Sequence, residues 1–193
     1  GGQSALRSGL IHQIKQSLNK HAIPFVELGG VVPNPVLSLV YEGIALAKAE
    51  NVDFILAVGG GSVIDSAKAI GYGVANDRDV WDFYSSTAKP EACLPIGTIL
   101  TISAAGSEMS NGSVITNEMG NLKRSCDTDL SRPLFSIMDP KLTLTLSDYQ
   151  TAAGCVDIMM HTMERYFNHG ENMEITDRIS ESLLRVVMKN ALI

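Results

Sequence analysis

The hydrophobic pattern of the first 20 residues is that of an amphipathic helix. Leucine or isoleucine recurs at every fourth position, at Leu6, Leu10, Ile14 and Leu18. This spacing places the apolar side chains on one helix face, so a helix is predicted over residues 4–20, ending before Pro24. Residues 25–28 are then predicted to form a short strand, which ends at Gly29 and Gly30.

The next segment alternates between helical and extended patterns. Asn34 and Pro35 suit the N-cap and first position of a helix predicted over residues 36–50. Residues 53–58 form an apolar run bounded by turn signals, which is typical of a strand buried on both faces of a parallel sheet. A further helix is predicted from Ser62. This alternation predicts an α/β fold with a Rossmann-like parallel sheet.

The middle of the chain contains two more apolar runs separated by a polar stretch. The runs at 94–98 and 134–138 are predicted to be strands. Residues 104–133 are rich in Gly, Ser, Asn and Asp, which predicts a loop, with a small hairpin near 114–116.

The pattern changes after Leu146, where only helical periodicity remains. Ser147 and Gln150 are spaced as a capping box at the start of a helix expected to reach residue 167, and a second helix is expected from Glu174 to the end. The predicted domains are therefore an α/β domain over 1–147 and the beginning of an all-helical domain over 148–193.

Charge and cysteine content narrow the range of partners. The formal net charge is −6, with 21 acidic against 15 basic residues, which argues against nucleic acid as a partner. No apolar run is long enough to span a bilayer, and the N-terminus lacks a signal-peptide core, so no membrane partner is expected. Cys93, Cys126 and Cys155 form no CxxC pair, which favours a reducing compartment, and a cytoplasmic location is expected.

A glycine triplet carries the strongest chemical signal. Gly59, Gly60 and Gly61 follow the predicted buried strand and open a helix, where Ser62 is expected to cap and Asp65 to occupy the capping-box position. The free N–H groups and the positive dipole end of a helix suit the pyrophosphate of a dinucleotide. The alternative is a tight turn that binds nothing, because the triplet is neither a GxGxxG fingerprint nor a P-loop.

Four segments resemble, in the right order, the iron-containing alcohol dehydrogenases, and most closely their butanol dehydrogenase branch. GGGSVIDSAK at 59–68 is similar to the family signature GGGSxxDxAK. LGGVVPNP at 28–35 resembles the turn after the family's second strand, and CLPIGTILTISAAGSE at 93–108 resembles its Thr…Gly-Ser-Glu segment. DPKLTLTLSDYQTAAGCVDIMMH at 139–161 resembles a stretch that ends in a DxxxH motif.

The resemblance implies a nicotinamide cofactor and a set of residues that hold it. These are Gly29 and Gly30 beside the adenosine ribose, Gly59, Gly60, Gly61, Ser62 and Asp65 at the pyrophosphate, Thr101 bordering the phosphates and nicotinamide, and Lys123 near the nicotinamide ribose. From its own surroundings, Lys123 would be a solvated surface lysine. The implied reaction is hydride transfer between the nicotinamide and a primary alcohol or aldehyde, in a homodimer or larger homo-oligomer when full length.

The segment at Gly29 predicts which cofactor is used. A carboxylate at the end of the second strand accepts a hydrogen bond from the ribose 2′-OH and repels a 2′-phosphate. Members of the resembling family with Asp at the position of Gly29 are expected to use NAD for that reason. Gly29 and Gly30 leave the position uncharged and open, so NADP(H) is predicted to be preferred over NAD(H). The alternative is that both glycines serve only the turn.

Asp157 and His161 are the candidate metal ligands. They are spaced i, i+4, which places both on one helix face, although such a pair is more often a simple hydrogen-bonded pair. The resemblance implies that they are two of four ligands of a divalent metal, Fe²⁺ or Zn²⁺. Glu164, one turn further, could orient a ligand, but a solvent-facing glutamate is the plainer interpretation.

The resemblance also implies that this chain is part of a longer enzyme. The family's first strand and its two downstream histidine ligands are not expected within it, and His12, His21 and His169 do not replace them. Ala105 stands where the family has threonine, and Ser147 where it has proline. Two other functions stay open: a glycerol dehydrogenase-like relative, and a nucleotide-binding module without catalysis.

Overall fold

The computed structural model of the protein describes residues 2–168 and 170–191, and the chain divides into two compact units. One unit comprises Gly1–Ile102 and Gly106–Leu142, and the other comprises Ser103–Ala105 and Thr143–Ile193. The helices are α1 (Gln3–Arg7), α2 (Leu10–Lys20), α3 (Leu37–Ala49), α4 (Gly61–Ala75), α5 (Val80–Tyr84), α6 (Asp148–Tyr166) and α7 (Glu174–Asn190). The strands are β1 (Ile55–Gly59), β2 (Ile96–Leu100), β3 (Gly112–Asn117), β4 (Leu122–Asp127) and β5 (Phe135–Ile137), and short 3-10 helices span Asp129–Ser131 and Pro140–Thr143.

Three parallel strands form the sheet of the first unit, in the order β1-β2-β5. All five residues of β2 are buried, because this strand lies in the middle of the sheet. The apolar runs predicted at 53–58, 94–98 and 134–138 correspond to these strands, with β1 and β2 each beginning two residues later than predicted. The predicted α/β fold with a parallel sheet is therefore confirmed.

The helix α4 is the most buried helix of the first unit, with ten buried residues from Val63 to Gly73. It packs closely against α3 through two glycines. A Cβ atom built on Gly43 would lie 2.3 Å from Ile70 Cδ1, and one on Gly73 would lie 2.1 Å from Ile44 Cδ1. Any side chain at these two positions would push the helices apart, which is why glycine is accepted inside both helices despite its low helix propensity.

An antiparallel hairpin of β3 and β4 replaces most of the predicted loop. Its strands are six residues each, longer than the small hairpin expected near 114–116. Gly120 and Asn121 adopt positive φ angles of 87° and 53° in the turn, which these residue types tolerate. The hairpin contacts the residues just before α3, where Thr116 N donates to Pro35 O at 2.9 Å.

Two predictions for the N-terminal region are wrong. The single helix expected over 4–20 is two helices, because Gly9 adopts a left-handed conformation (φ 79°) between them. Residues 25–28 are not a strand, since the ladder of the described sheet begins at β1 and does not include them. A short apolar run becomes a strand only where a neighbouring strand pairs with it, which the run itself does not specify.

The start of α3 also differs from the prediction. Val36, and not Asn34, is the N-cap, and the helix begins at Leu37. Asn34 has a positive φ of 56°, and Pro35 uses its carbonyl to accept from Thr116 of the hairpin. The short helix α5 was not predicted, because five residues are too few for a periodic pattern.

The second unit contains the two predicted helices, α6 and α7. Ser147 is the N-cap of α6, and its hydroxyl accepts a hydrogen bond from Gln150 N at 3.3 Å, as its sequence predicts. Both helices are confirmed, and no strand follows residue 140 in the described part of the chain. Among the described residues, no helix has the length and apolar content to cross a membrane.

Candidate functional site

The glycine triplet joins the end of β1 to the start of α4. Gly59 is the last residue of β1, Gly60 is the N-cap of α4, and Gly61 is the first helical residue. No side chain caps this helix end. The prediction that Ser62 is the cap is therefore wrong, because the helix begins one residue before Ser62. The carbonyl oxygen of Ser62 accepts a hydrogen bond from Ser66 Oγ at 2.9 Å inside the helix.

Internal packing requires glycine at the first two positions of the triplet. A Cβ on Gly59 would lie 2.5 Å from Val63 Cγ2, and a Cβ on Gly60 would lie 2.3 Å from Ile102 Cγ2. Both glycines are thus needed for the turn even without a ligand. Gly59 also accepts a hydrogen bond from Thr101 N at 3.1 Å, which holds the end of β2 beside the turn.

The start of α4 has the chemistry of an anion site. The first intrahelical bond runs from Val63 N to Gly60 O at 3.0 Å, so the N–H groups of Gly61 and Ser62 lie ahead of the hydrogen-bonded ladder. A helix of 15 residues adds the positive end of its dipole at the same point. An anion placed there could accept hydrogen bonds from these N–H groups, since no side chain of the described structure accepts from this helix end as a cap.

Asp65 connects α4 to the segment that leads into the hairpin. Its Oδ1 accepts from Ser107 Oγ at 2.5 Å, and its Oδ2 accepts from Val114 N at 3.1 Å. Burial raises the pKa of this carboxyl group, while both hydrogen bonds and the nearby ammonium of Lys68 oppose the increase. The capping-box role predicted for Asp65 is wrong, because both oxygens face residues far along the chain.

Lys68 is the last residue of the GGGSVIDSAK segment, and the sequence analysis gave it no role. It is fully buried (0% exposed), and its Nζ donates to the carbonyl oxygens of Ser107, Ser110 and Gly112 at 2.9, 2.8 and 2.8 Å. Burial lowers the pKa of this ammonium, and Asp65 counteracts part of the shift. The signal for burial was the run of small and apolar neighbours around it, Ala67, Ala69 and Ile70.

The residues predicted to contact the ribose groups lie in loops and on the hairpin. Gly29 and Gly30 are exposed, and a Cβ on Gly29 would meet no atom within 4 Å. Thr101 is buried at the end of β2. Lys123 lies exposed on β4, where its Nζ donates to Asn34 Oδ1 at 2.9 Å, so the hairpin brings it against the segment that begins with Gly29.

The predicted metal ligands lie one turn apart on α6 of the second unit. His161 Nε2 lies 3.6 Å from Asp157 Oδ1, and His161 Nδ1 lies 3.5 Å from Glu164 Oε2. The side chains of His161 and Asp157 are 52% and 44% exposed, so both can still bind a ligand. The described residues contain no group of three or more metal-ligating side chains that could hold an ion. Of the other histidines, His169 lies outside the described residues.

Comparison with known proteins gives one consistent family. The family model described as iron-containing alcohol dehydrogenase matches residues 1–140. The probable NADH-dependent butanol dehydrogenase 1 of Bacillus subtilis (strain 168) is 48% identical over 191 residues, which cover 99% of this chain and 49% of that protein. The NADPH-dependent aldehyde reductase YqhD of Escherichia coli (strain K12) is 33% identical over 194 residues, covering 98% of this chain and 49% of that protein.

Solved structures agree with the sequence relatives. The crystal structure of NADH-dependent butanol dehydrogenase A from Thermotoga maritima superposes with a TM-score of 0.93 at 44% identity, covering 98% of this chain and 47% of that one. The chain therefore spans about half the length of the relatives that it matches.

Proposed function

Because the chain belongs to the iron-containing alcohol dehydrogenase family, we propose that the protein carrying it is a nicotinamide- and metal-dependent oxidoreductase acting on a primary alcohol or its aldehyde. The observation that carries the proposal is the uncapped start of α4 directly after β1, in a chain that is 48% identical to a probable butanol dehydrogenase. We further propose that the α/β domain, residues 1–147, binds the dinucleotide and that residues 148–193 begin the metal-binding domain.

The first unit supplies the groups that would hold a dinucleotide. Gly59 and Gly60 shape the turn, while Gly61 and Ser62 present their N–H groups to the pyrophosphate. Of the other proposed contacts, Thr101 is held beside the turn through Gly59, while Asp65, Lys123, Gly29 and Gly30 lie at the positions described above. When bound, the nicotinamide carries the hydride, and the residues of the protein bind and orient the nicotinamide.

Cofactor preference is the finer part of the proposal. An uncharged and sterically open Gly29 supports NADP(H) over NAD(H), because no carboxylate at this position repels a 2′-phosphate. The names of the relatives include both kinds: those at 41–48% identity are called NADH-dependent, and two at 33% are called NADPH-dependent and NADP-dependent. The preference for NADP(H) stays a prediction, and the ratio of kcat/KM for the two cofactors tests it.

We also propose that Asp157 and His161 contribute two ligands to a divalent metal, Fe²⁺ or Zn²⁺. A carboxylate oxygen and an imidazole nitrogen on one helix face fit either ion, and both side chains are accessible. When bound, the metal acts as a Lewis acid on the substrate oxygen. Glu164 Oε2 lies within 3.5 Å of His161 Nδ1, so it can hold the proton on Nδ1 and leave Nε2 free to bind.

The experiment is an activity assay on the whole protein. Reduction of butyraldehyde and oxidation of butanol are followed through the absorbance of the reduced nicotinamide, with NADH and with NADPH. We expect activity that a chelator removes and that Fe²⁺ or Zn²⁺ restores. Dinucleotide binding without turnover of any alcohol or aldehyde, in the metal-loaded protein, would instead favour the non-catalytic nucleotide-binding module.

A further inference from the structure

The buried side chain of Lys68, in the middle of α4, donates hydrogen bonds to one short segment of the first unit. Lys68 Nζ has three carbonyl acceptors within 2.9 Å, and all three belong to residues 107–112, 39 to 44 positions further along the chain. An ammonium has three N–H donors, so the carbonyls of Ser107, Ser110 and Gly112 match its full capacity. An additional contact with Ser110 Oγ is longer, at 3.2 Å.

The opposite charge, one turn earlier on the same helix, holds the same segment. Asp65 accepts from Ser107 Oγ and from Val114 N, so the pair Asp65 and Lys68 contacts both ends of residues 107–114. We refer to these residues as the 107–114 segment. Its carbonyl oxygens face the cation and its donors face the carboxylate, which fixes the segment in one register on α4.

The 107–114 segment leads directly into the hairpin that carries Lys123. β3 begins at Gly112, and Thr116 of β3 is the register partner of Lys123 on β4. The same Thr116 donates its N–H to Pro35 O, and Lys123 donates to Asn34. The position of the hairpin relative to the glycine turn therefore depends on how the 107–114 segment is held on α4.

We propose that Lys68 is a positioning residue for the cofactor: its buried positive charge holds the 107–114 segment and thereby sets the hairpin and Lys123 relative to the glycine turn. This inference rests on the proposed dinucleotide-binding function. Lys68 does not itself contact the cofactor; it acts through the segment that it holds.

Packing alone does not explain a lysine at this position. A methionine would fill a similar volume, but it would remove the N–H donor that Lys68 supplies to the carbonyl oxygens of Ser107, Ser110 and Gly112. The start of β3 has separate anchors in the core, since Tyr84 Oη and Ser113 Oγ lie 2.6 Å apart and Ser113 Oγ donates to Asp65 O at 2.9 Å. A variant without the charge is therefore expected to keep the fold and to loosen the segment.

The first test replaces Lys68 with methionine in the whole protein. Lys48→Met, on the exposed side of α3, makes the same change in net charge and serves as the matched control. The dissociation constant of the reduced dinucleotide is measured by nicotinamide fluorescence, and hydrogen exchange is measured for peptides that cover 107–117. We expect roughly tenfold weaker binding or more for Lys68→Met, with faster exchange confined to 107–117 and unchanged exchange in β1 and β2.

A cation rescue separates the charge from the volume. Lys68→Ala leaves space beside the three carbonyls. Its dinucleotide affinity is measured with added n-propylammonium and, at the same ionic strength, with tetramethylammonium, a cation that has no N–H group to donate. Recovery of dinucleotide affinity with n-propylammonium, and not with tetramethylammonium, supports the proposal. If Lys68→Met does not fold, refolding of Lys68→Ala in each salt gives the same comparison. Equal recovery with both salts, or with neither, contradicts it.

Three further outcomes decide between the inference and the function on which it rests. Unchanged affinity and unchanged exchange in Lys68→Met would overturn the positioning role. Faster exchange throughout the sheet would also overturn it, because the lysine would then serve global stability. If the unsubstituted protein bound no dinucleotide, the proposed function would fail, while exchange at 107–117 would still show whether Lys68 holds the segment.

Discussion

Replacement of Gly61 by proline removes a single N–H group at the point where a pyrophosphate would bind. Gly61 is the first residue of α4, a position where proline fits a helix, because its N–H has no partner inside the helix. The preceding residue, Gly60, has an extended backbone (φ −95°, ψ −168°), which the residue before a proline favours. Gly61→Pro should therefore leave the fold intact, with a free energy of unfolding equal to or about 0.4–1 kcal/mol higher than that of the unsubstituted chain.

The expected loss of affinity follows from the bond that is removed. A hydrogen bond from a backbone N–H to a charged phosphate contributes about 1.5–3 kcal/mol, so Gly61→Pro should raise the dissociation constant of the dinucleotide roughly 10- to 150-fold. Gly61→Ala adds a methyl group and keeps the N–H, so it separates the loss of the donor from the added volume. Its effect should be several times smaller.

Calorimetric titration of NADH and NADPH into the three proteins measures this, and thermal unfolding checks that each is folded. Equal losses in the proline and alanine variants would mean that bulk, and not the N–H group, is responsible. Unchanged affinity in a folded Gly61→Pro protein would refute the placement of the pyrophosphate. Gly60 is a poorer test position, because a side chain there would collide with Ile102 whether or not a cofactor binds.

Three further predictions concern the other regions. A Cβ atom at Gly29 would meet no atom within 4 Å, so Gly29→Asp should fold. It should shift the kcat/KM ratio toward NAD(H) about tenfold, and an unchanged ratio would mean that the adenosine ribose does not lie at this loop. The chain of 193 residues should hold Fe²⁺ or Zn²⁺ only weakly in a chelator competition, since it supplies two proposed ligands. His161→Ala should abolish the residual metal binding without changing dinucleotide affinity. Tight, stoichiometric metal binding would contradict this prediction. The hydroxyl of Ser38 lowers the pKa of the exposed Glu118. This pair should therefore stabilise the protein at pH values above the usual pKa of glutamate, and the stabilisation should disappear as the pH falls through the lowered pKa. Glu118→Gln should accordingly cost about 0.5 kcal/mol of unfolding free energy near neutral pH and nothing in strong acid; an equal cost at both pH values in denaturant titrations would exclude the charge as its origin.

The elements predicted correctly are those whose own residues determine them. β1, β2 and β5 are apolar runs, and α3, α4, α6 and α7 show helical periodicity or a clear cap, so local sequence was sufficient. The failures are places where a distant partner decides. Residues 25–28 have strand-like composition but are not in the ladder, and the hairpin extends over 112–127 through pairing of two polar segments.

The candidate site shows the same division. The turn after β1 and a helix start within one residue of the observed one could be predicted, because strand, glycines and helix are adjacent in sequence. The cap predicted at Ser62 lies two residues after the observed N-cap, Gly60, since a glycine triplet does not reveal which glycine ends the extended backbone. The partners of Lys68 lie 39 to 44 residues away, and no local pattern specifies contacts at that separation.

The signature GGGSVIDSAK therefore combines two tasks within three turns of one strand–helix unit. Its first four residues shape the turn and present N–H groups. Asp65 and Lys68, in the following turns of α4, hold the 107–114 segment. The two tasks should weaken cofactor binding by different routes. Loss of the Gly61 N–H should leave hydrogen exchange at residues 107–117 unchanged, while loss of the Lys68 charge should both weaken binding and accelerate that exchange. A chain in which both substitutions loosened the hairpin equally would show that the signature acts as one structural unit, and not as a binding element joined to an anchoring element.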